Sequence, residues 1–305
     1  MASFLAPGID PETTFFQTNN DQEMKAISHL ILFCTTILLC TSCSKEGGPA
    51  PDQSRTGNLQ LKFDHIVGGK KLQLGTGEYT NGDGELFTID MLKYYISNIV
   101  LHDAAGGEYV VPQDESYYLV DASAVESQFV NIEVPEGDYT QLTFIIGVDS
   151  LRSTMPIDHR TGVLDPAGDH LSGGMYWSWN SGYIFFKMEG RSPAIDLTGD
   201  PTGQHRYRYH IGGFGGYDTP TVNNIKTIEI DLSRAGTANV RSGLSSNIHL
   251  FVDASKVFNG ATTVSLAAHP TVMFGDYSQV IANNYQTMFA HDHTHNFETI
   301  SGIHE

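Results

Sequence analysis

Beyond Cys43 the sequence has no cysteine: Cys34, Cys40 and Cys43 all fall within one N-terminal stretch. The domain that follows therefore has no disulfide framework and no thiolate to serve as ligand or nucleophile. Basic residues are scarce as well, 17 Lys and Arg against 35 Asp and Glu, giving a formal charge of -18. That balance argues against a nucleic-acid backbone or anionic lipid as the main partner and makes a cation the more natural guest. Long hydrophobic runs are missing apart from Ile27 to Cys40, which is short for a transmembrane span. The chain also lacks a Gly-x-Ser-x-Gly elbow, a His-Glu-x-x-His helix and a phosphate loop, so it reads as a binding protein and not an enzyme.

The front end stands apart from the fold. Residues 24–42 open with Met24 and Lys25 and continue through the apolar run to small residues, as a signal peptide does. Residues 1–23 then form an over-extended start. The LCTSC stretch resembles the lipobox of bacterial lipoproteins, which implies lipidation of Cys43, palmitate included, and membrane attachment through that lipid alone. SKEGG after it is similar to the tethers of surface-exported lipoproteins, pointing to the periplasm or the outer membrane. Residues 43–57 are rich in Gly, Pro, Ser and charge and read as a flexible tether.

From position 58 the pattern changes. In NLQLKFDHIVGG, Leu59, Leu61, Phe63, His65 and Val67 share one side of a strand, with Gln60, Lys62 and Asp64 on the other. Short alternating runs bounded by Gly, Pro, Asn and Asp recur as far as ATTVSLAA, and a helical period appears only from Asp276 to His291. The expectation is an all-β, sandwich-like single domain over residues 58–290, with long loops, one short C-terminal helical segment and a polar tail over 291–305. LFTIDMLKYYISNIVLHD reads as one strand run, and its part MLKYYISNIVLHD can also be read as a strand pair kinked near Ser97. NGDGE (81–85) reads as a tight hairpin turn and not a calcium loop, since no carboxylate stands at the twelfth place. Asp149 is placed to anchor the long loop 151–182 through backbone or Arg152 hydrogen bonds.

That loop carries both tryptophans, Trp177 and Trp179, which with Tyr176 and Tyr183 form either a packed cap over one sandwich end or an exposed stacking platform. Histidine is abundant, 13 in all. His65 stands on the apolar side of its strand, as a hydrogen-bonded core residue or a neutral ligand. His210 precedes the glycines of IGGFGG, and His249 lies on the face opposite Ile248, Leu250 and Val252. Imidazoles without thiolate suit copper or zinc. The HDHTH run at 291–295 reads as disordered tail.

FDHIVGG, LKYYISNIVL, GVDS, GMYWSWNSGYIFFKMEG and YHIGG together resemble the successive blocks of the MbnP-like copper-binding family, associated with the copper scavenger methanobactin. The resemblance implies copper bound outside the cytoplasm, in acquisition or storage. It implies His65 and His210 as ligands, with a third from His249 or His170 or absent. It further implies Trp177 or Trp179 as a residue oxidisable to kynurenine by a di-haem MauG-like peroxidase. One departure is visible: related surface proteins place a histidine beside the modified tryptophan, whereas WSWN has Asn180. The rival reading is a surface-tethered glycan-binding or adhesion module using the Tyr/Trp cluster. Indoles lining a closed pocket beside His65 and His210 favour copper; indoles flat on the surface favour a glycan.

Overall fold

The computed structural model describes residues 50–167, 174–177 and 182–299. Cys43, His170 and Trp179, with the signal segment and tether residues 43–49, lie outside the described residues. In chain order the strands are β1 (Thr56–Val67), β2 (Lys70–Lys71), β3 (Tyr79–Thr80), β4 (Leu86–Asp103), β5 (Glu108–Val110) and β6 (Tyr117–Asp121). They continue with β7 (Phe129–Pro135), β8 (Gly137–Ile146), β9 (Tyr176–Trp177), β10 (Gly182–Arg191) and β11 (Arg206–Gly212). The last are β12 (Lys226–Asp231), β13 (Ala238–Val240), β14 (Ser245–Asp253), β15 (Thr271–Val272) and β16 (Phe289–Glu298). Among the described residues three short α-helices accompany them, α1 (Ser150–Thr154), α2 (Lys256–Asn259) and α3 (Ser278–Tyr285).

Two sheets result. The smaller runs β16-β14-β1-β2, with β7 also on β1, and the larger is built on β12-β8-β4-β10-β11-β15. Their inner faces meet through alternating apolar side chains, as a sandwich requires. Phe63 of β1 meets Tyr94 of β4 and Phe144 of β8, each at 6.2 Å between ring centroids, and Phe289 of β16 at 6.3 Å, all edge-on. The parity legible in NLQLKFDHIV is the parity observed: Leu59, Leu61 and Phe63 are fully buried.

Of the two readings of LFTIDMLKYYISNIVLHD, the structure has the single run: one 18-residue strand, β4, and not a strand pair. The kink is real but is a bulge: Asn98 has φ +53° and the pairing with β8 shifts between Ser97 and Val100. Ser116 accommodates it, its hydroxyl oxygen accepting from the Ile99 N–H at 2.8 Å and its carbonyl from the Asn98 N–H at 3.1 Å. An extra residue with satisfied backbone groups bends a strand without ending it.

Asp149 is the N-cap of α1, accepting from the Arg152 N–H at 2.9 Å. The loop beyond is pinned where its carbonyls meet buried phenols, Val163 accepting from Tyr95 at 2.9 Å and Leu164 from Tyr183 at 2.6 Å. In the NGDGE turn, Asn81 Oδ1 accepts from the Asp83 and Glu85 N–H groups at 3.2 and 2.8 Å, and Gly84 takes φ +79°. The Glu85 carboxylate accepts from the N–H groups of Leu266 and Ala267 at 2.6 and 3.0 Å, tying the turn to a distant loop.

The C-terminal expectation needs correction. The helical segment is shorter, ending at Tyr285, and the supposed polar tail is strand β16 as far as Glu298, paired antiparallel with β14. Phe289 anchors it, packing edge-on against Phe144 at 5.2 Å and Tyr94 at 5.7 Å. Backbone pairing and this aromatic plug hold a strand whose central run, His291 to Asn296, is entirely polar.

Candidate metal centre

Strand β14 lies between β1 and β16, and its fully buried Ile248, Leu250 and Val252 point into the core. Side-chain alternation therefore sends His249 outward. The register sets His249 opposite His293, and Asn247 opposite His295, on the same outer face. Three imidazoles consequently converge on the outside of the smaller sheet. The His249 and His293 rings stack at 4.3 Å, with His295 at 5.2 Å from the first and 4.7 Å from the second.

One ring nitrogen from each of the three lies within 4.8 Å of the others. Nε2 of His293 and Nε2 of His295 are 2.9 Å apart, a distance that neutral imidazoles sustain only by sharing a proton between two lone pairs. A cation bound by both lone pairs satisfies the same contact. Bonds of about 2.0 to 2.1 Å set ligand nitrogens of a tetrahedral site ~3.3 Å apart.

Each imidazole is also backed by a carboxylate at Nδ1. Asp64 stands 3.4 Å from His249, Asp292 2.9 Å from His293 and Glu298 3.6 Å from His295. The Asp292 contact is of hydrogen-bond length, and a carboxylate so placed on Nδ1–H fixes the tautomer and frees the Nε2 lone pair, the arrangement found behind metal-bound histidines; the Asp64 and Glu298 contacts are longer ion pairs. Burial opposes ionisation of Asp64, but its hydrogen bond with His249 and the nearby Lys62 outweigh that and hold its carboxyl below the usual range. The donor set, three imidazoles with acidic support and no thiolate, fits a divalent or monovalent copper ion or zinc.

The other expected ligands do not join this cluster. His65 points inward, is 7% exposed, and its Nε2 meets the Tyr94 hydroxyl at 3.1 Å. His210 is paired in register with Lys187, and Lys187 with Lys93 on β4. Lys93 precedes Tyr94, so the two point to opposite faces of the larger sheet. His65 lies on the inner side, with Tyr94; His210 lies on the outer side, with its Nε2 2.8 Å from Glu189 Oε1. The expected convergence of His65 and His210 is thus not formed, because a sheet separates their faces. His249 does belong to a cluster, with two histidines assigned from sequence to a disordered tail. The signal that could have found them is His293-x-His295, the spacing that puts both on one face of a strand.

Trp177 is 7% exposed and packs edge-on to Phe274 at 6.5 Å. It lies so close to Gly212 that a Cβ there would fall 2.8 Å from the indole. Tyr183 is fully buried. Neither therefore belongs to an exposed stacking platform, and the packed cap describes Trp177.

Burial holds His65 neutral by lowering its pKa from 6.5 to about 4. Between those values the unfolded chain binds the extra proton, so stability rises with pH across that window and the contribution is complete above 6.5. The expected span is on the order of 3 kcal/mol. His65→Gln should flatten this part of the stability profile in denaturant titrations from pH 4 to 7; an unchanged slope would contradict the assignment.

The chain is, then, an all-β single-domain protein with a carboxylate-backed imidazole cluster on the outside of its smaller sheet. The MbnP family model matches residues 56–274, and the chain belongs to the MbnP family. It is similar in structure to MbnP from Methylosinus trichosporium, at 15% identity and a TM-score of 0.47, over 72% of this chain and 82% of that one. No curated protein matches. Among the described residues no helix is long and apolar enough to cross a membrane. His293 and His295 lie beyond the matched segment, so two of the three clustered imidazoles are supplied by the strand that follows it.

Proposed function

We propose that this protein is an extracytoplasmic copper-binding protein serving copper acquisition or storage, with His249, His293 and His295 as its ligands. The observation that carries this reading is the convergence of three imidazoles, each backed by its own carboxylate. Nitrogen donors bind copper(II) more tightly than zinc, and copper(I) accepts as few as two or three such ligands. The surrounding acidity of a chain with formal charge -18 supports cation capture. Cys43 supplies the lipid anchor that keeps the domain at the envelope. The role is binding and not catalysis. Oxidation of Trp177 or Trp179 by a di-haem MauG-like partner is a separate step, and the burial of Trp177 means that such a partner withdraws electrons from it at a distance.

The test is metal content. Residues 44–305 are exposed to copper(I), copper(II) and zinc(II) in turn, desalted and analysed for bound metal. About one tightly held copper per chain, retained against an excess of zinc, is expected. Preferential retention of zinc, or no retained copper, sinks the reading.

A further inference from the structure

Along one edge of β1 the pairing with β7 ends at Lys62, and the pairing with β2 begins only at Ile66. In that gap opens a cleft of about 920 Å³. This lies within the range of cavities that hold drug-sized molecules. Its walls are mostly apolar, from Leu72, Leu74, Val125, Phe129 and Phe251. The charges that reach it cancel, Lys62 and Lys71 against Asp64 and Glu126, and Lys62 already pairs with Asp64 at 3.5 Å.

His65 reaches this cleft from the inner face of the sheet. Its Nε2 is engaged by the Tyr94 hydroxyl, while its Nδ1 is buried and has no protein hydrogen-bond partner. Gln128 also lines the cleft, its amide nitrogen donating to the Ala122 carbonyl at 3.2 Å and its side chain standing near the imidazole without a well-formed hydrogen bond to Nδ1. A buried polar atom left unpaired is costly, and an occupant that pairs with it recovers that cost. The arrangement of apolar walls, balanced charge and a single directional polar atom is that of a small-molecule site and not of an ion site.

We propose that this cleft binds a small uncharged organic molecule, of the phenol or nitrogen-heterocycle class, whose ring lies on the apolar walls and whose one polar atom hydrogen-bonds to His65 Nδ1. Balanced lining charge disfavours an ionised ligand, which would lose its hydration without gaining a net counter-charge. A neutral imidazole serves either a donor or an acceptor, because Tyr94 can accept from or donate to Nε2 and so leave Nδ1 in the complementary role. The site is separate from the histidine cluster, which faces outward. Asp64 touches both, lining the cleft and contacting His249.

The experiment uses the domain of residues 44–305 with indole and phenol as probes, and with benzoate and benzylamine as ionised comparators. Binding is read by saturation-transfer NMR and calorimetry. Indole or phenol should bind, with the ionised compounds at least ~10-fold weaker. Val125, 64% exposed on the wall, tolerates Val125→Trp, which should abolish binding by filling the opening. His65→Leu should weaken binding ~10-fold or more, while His65→Gln, which keeps a hydrogen-bonding group, should retain most of it. Circular dichroism establishes that each variant is folded. Copper content should be the same in all three variants, so this proposal and the copper reading fail separately. No saturation transfer from either uncharged probe, binding unaffected by Val125→Trp, or equal binding of the ionised compounds would overturn it.

Discussion

Replacing His293 with alanine should lower copper affinity by ~100-fold or more while leaving the unfolding midpoint nearly unchanged. His293 holds the middle of the cluster, stacked on His249 and in Nε2 contact with His295. Its removal leaves two imidazoles with no nitrogen between them. The side chain is 42% exposed, so deleting it opens no cavity in the core. Asp64→Asn tests the supporting layer, because a neutral amide no longer fixes the His249 tautomer as strongly. Its expected effect is about 10-fold to 100-fold. His210→Ala should leave copper affinity alone, since His210 lies on the outer face of the other sheet. Competition titrations against a chromophoric chelator measure all three. Wild-type affinity in His293→Ala and in the combined His249, His293 and His295 variant would refute the assignment.

Glu189→Gln should destabilise the fold by about 3 kcal/mol without changing copper content. Glu189 sits on the outer face of β10, where its carboxylate accepts from His210 Nε2 at 2.8 Å and Arg206 Nη2 at 2.7 Å, with Lys187 Nζ at 3.7 Å. Its side chain is 11% exposed. Taking away its charge leaves cationic groups crowded in a partly dry site, the costly way to break an ion pair. The His210 hydrogen bond holds the carboxyl down at about 2, against the opposition of burial and with help from the charges of His210, Lys187 and Arg206. A depressed carboxyl stabilises fully above its unfolded value of 4.5, and the contribution is lost as pH falls toward about 2. Glu189→Gln should therefore lose stability at pH 7 and show a shallower acid slope below 4.5. A denaturation midpoint equal to wild type at neutral pH would show that the network contributes nothing.

How far the sequence reaches is clear from particular residues. Alternation in NLQLKFDHIV placed Leu59, Leu61 and Phe63 inward, and the same rule placed His249 opposite Ile248, Leu250 and Val252. Asp149 and the NGDGE turn were legible because caps and tight turns depend on neighbours a few residues apart. β16 was not legible, because HDHTHN lacks the apolar alternation by which strands are recognised. What makes it a strand is the paired backbone of β14 and the seating of Phe289 among Tyr94 and Phe144. A kink near Ser97 was legible, but whether it ended the strand depended on Ser116, a remote partner.

By itself the sequence determined an all-β domain, the absence of thiolate chemistry and the faces on which His65 and His249 stand, since these follow from composition and a period of two. Only the tertiary structure decided which histidines meet. It set β16 against β14 so that His293 and His295 close on His249, and it put the larger sheet between the faces of His65 and His210. Side-chain parity is a property of one strand, whereas register and sheet membership are fixed by packing among residues far apart in the chain.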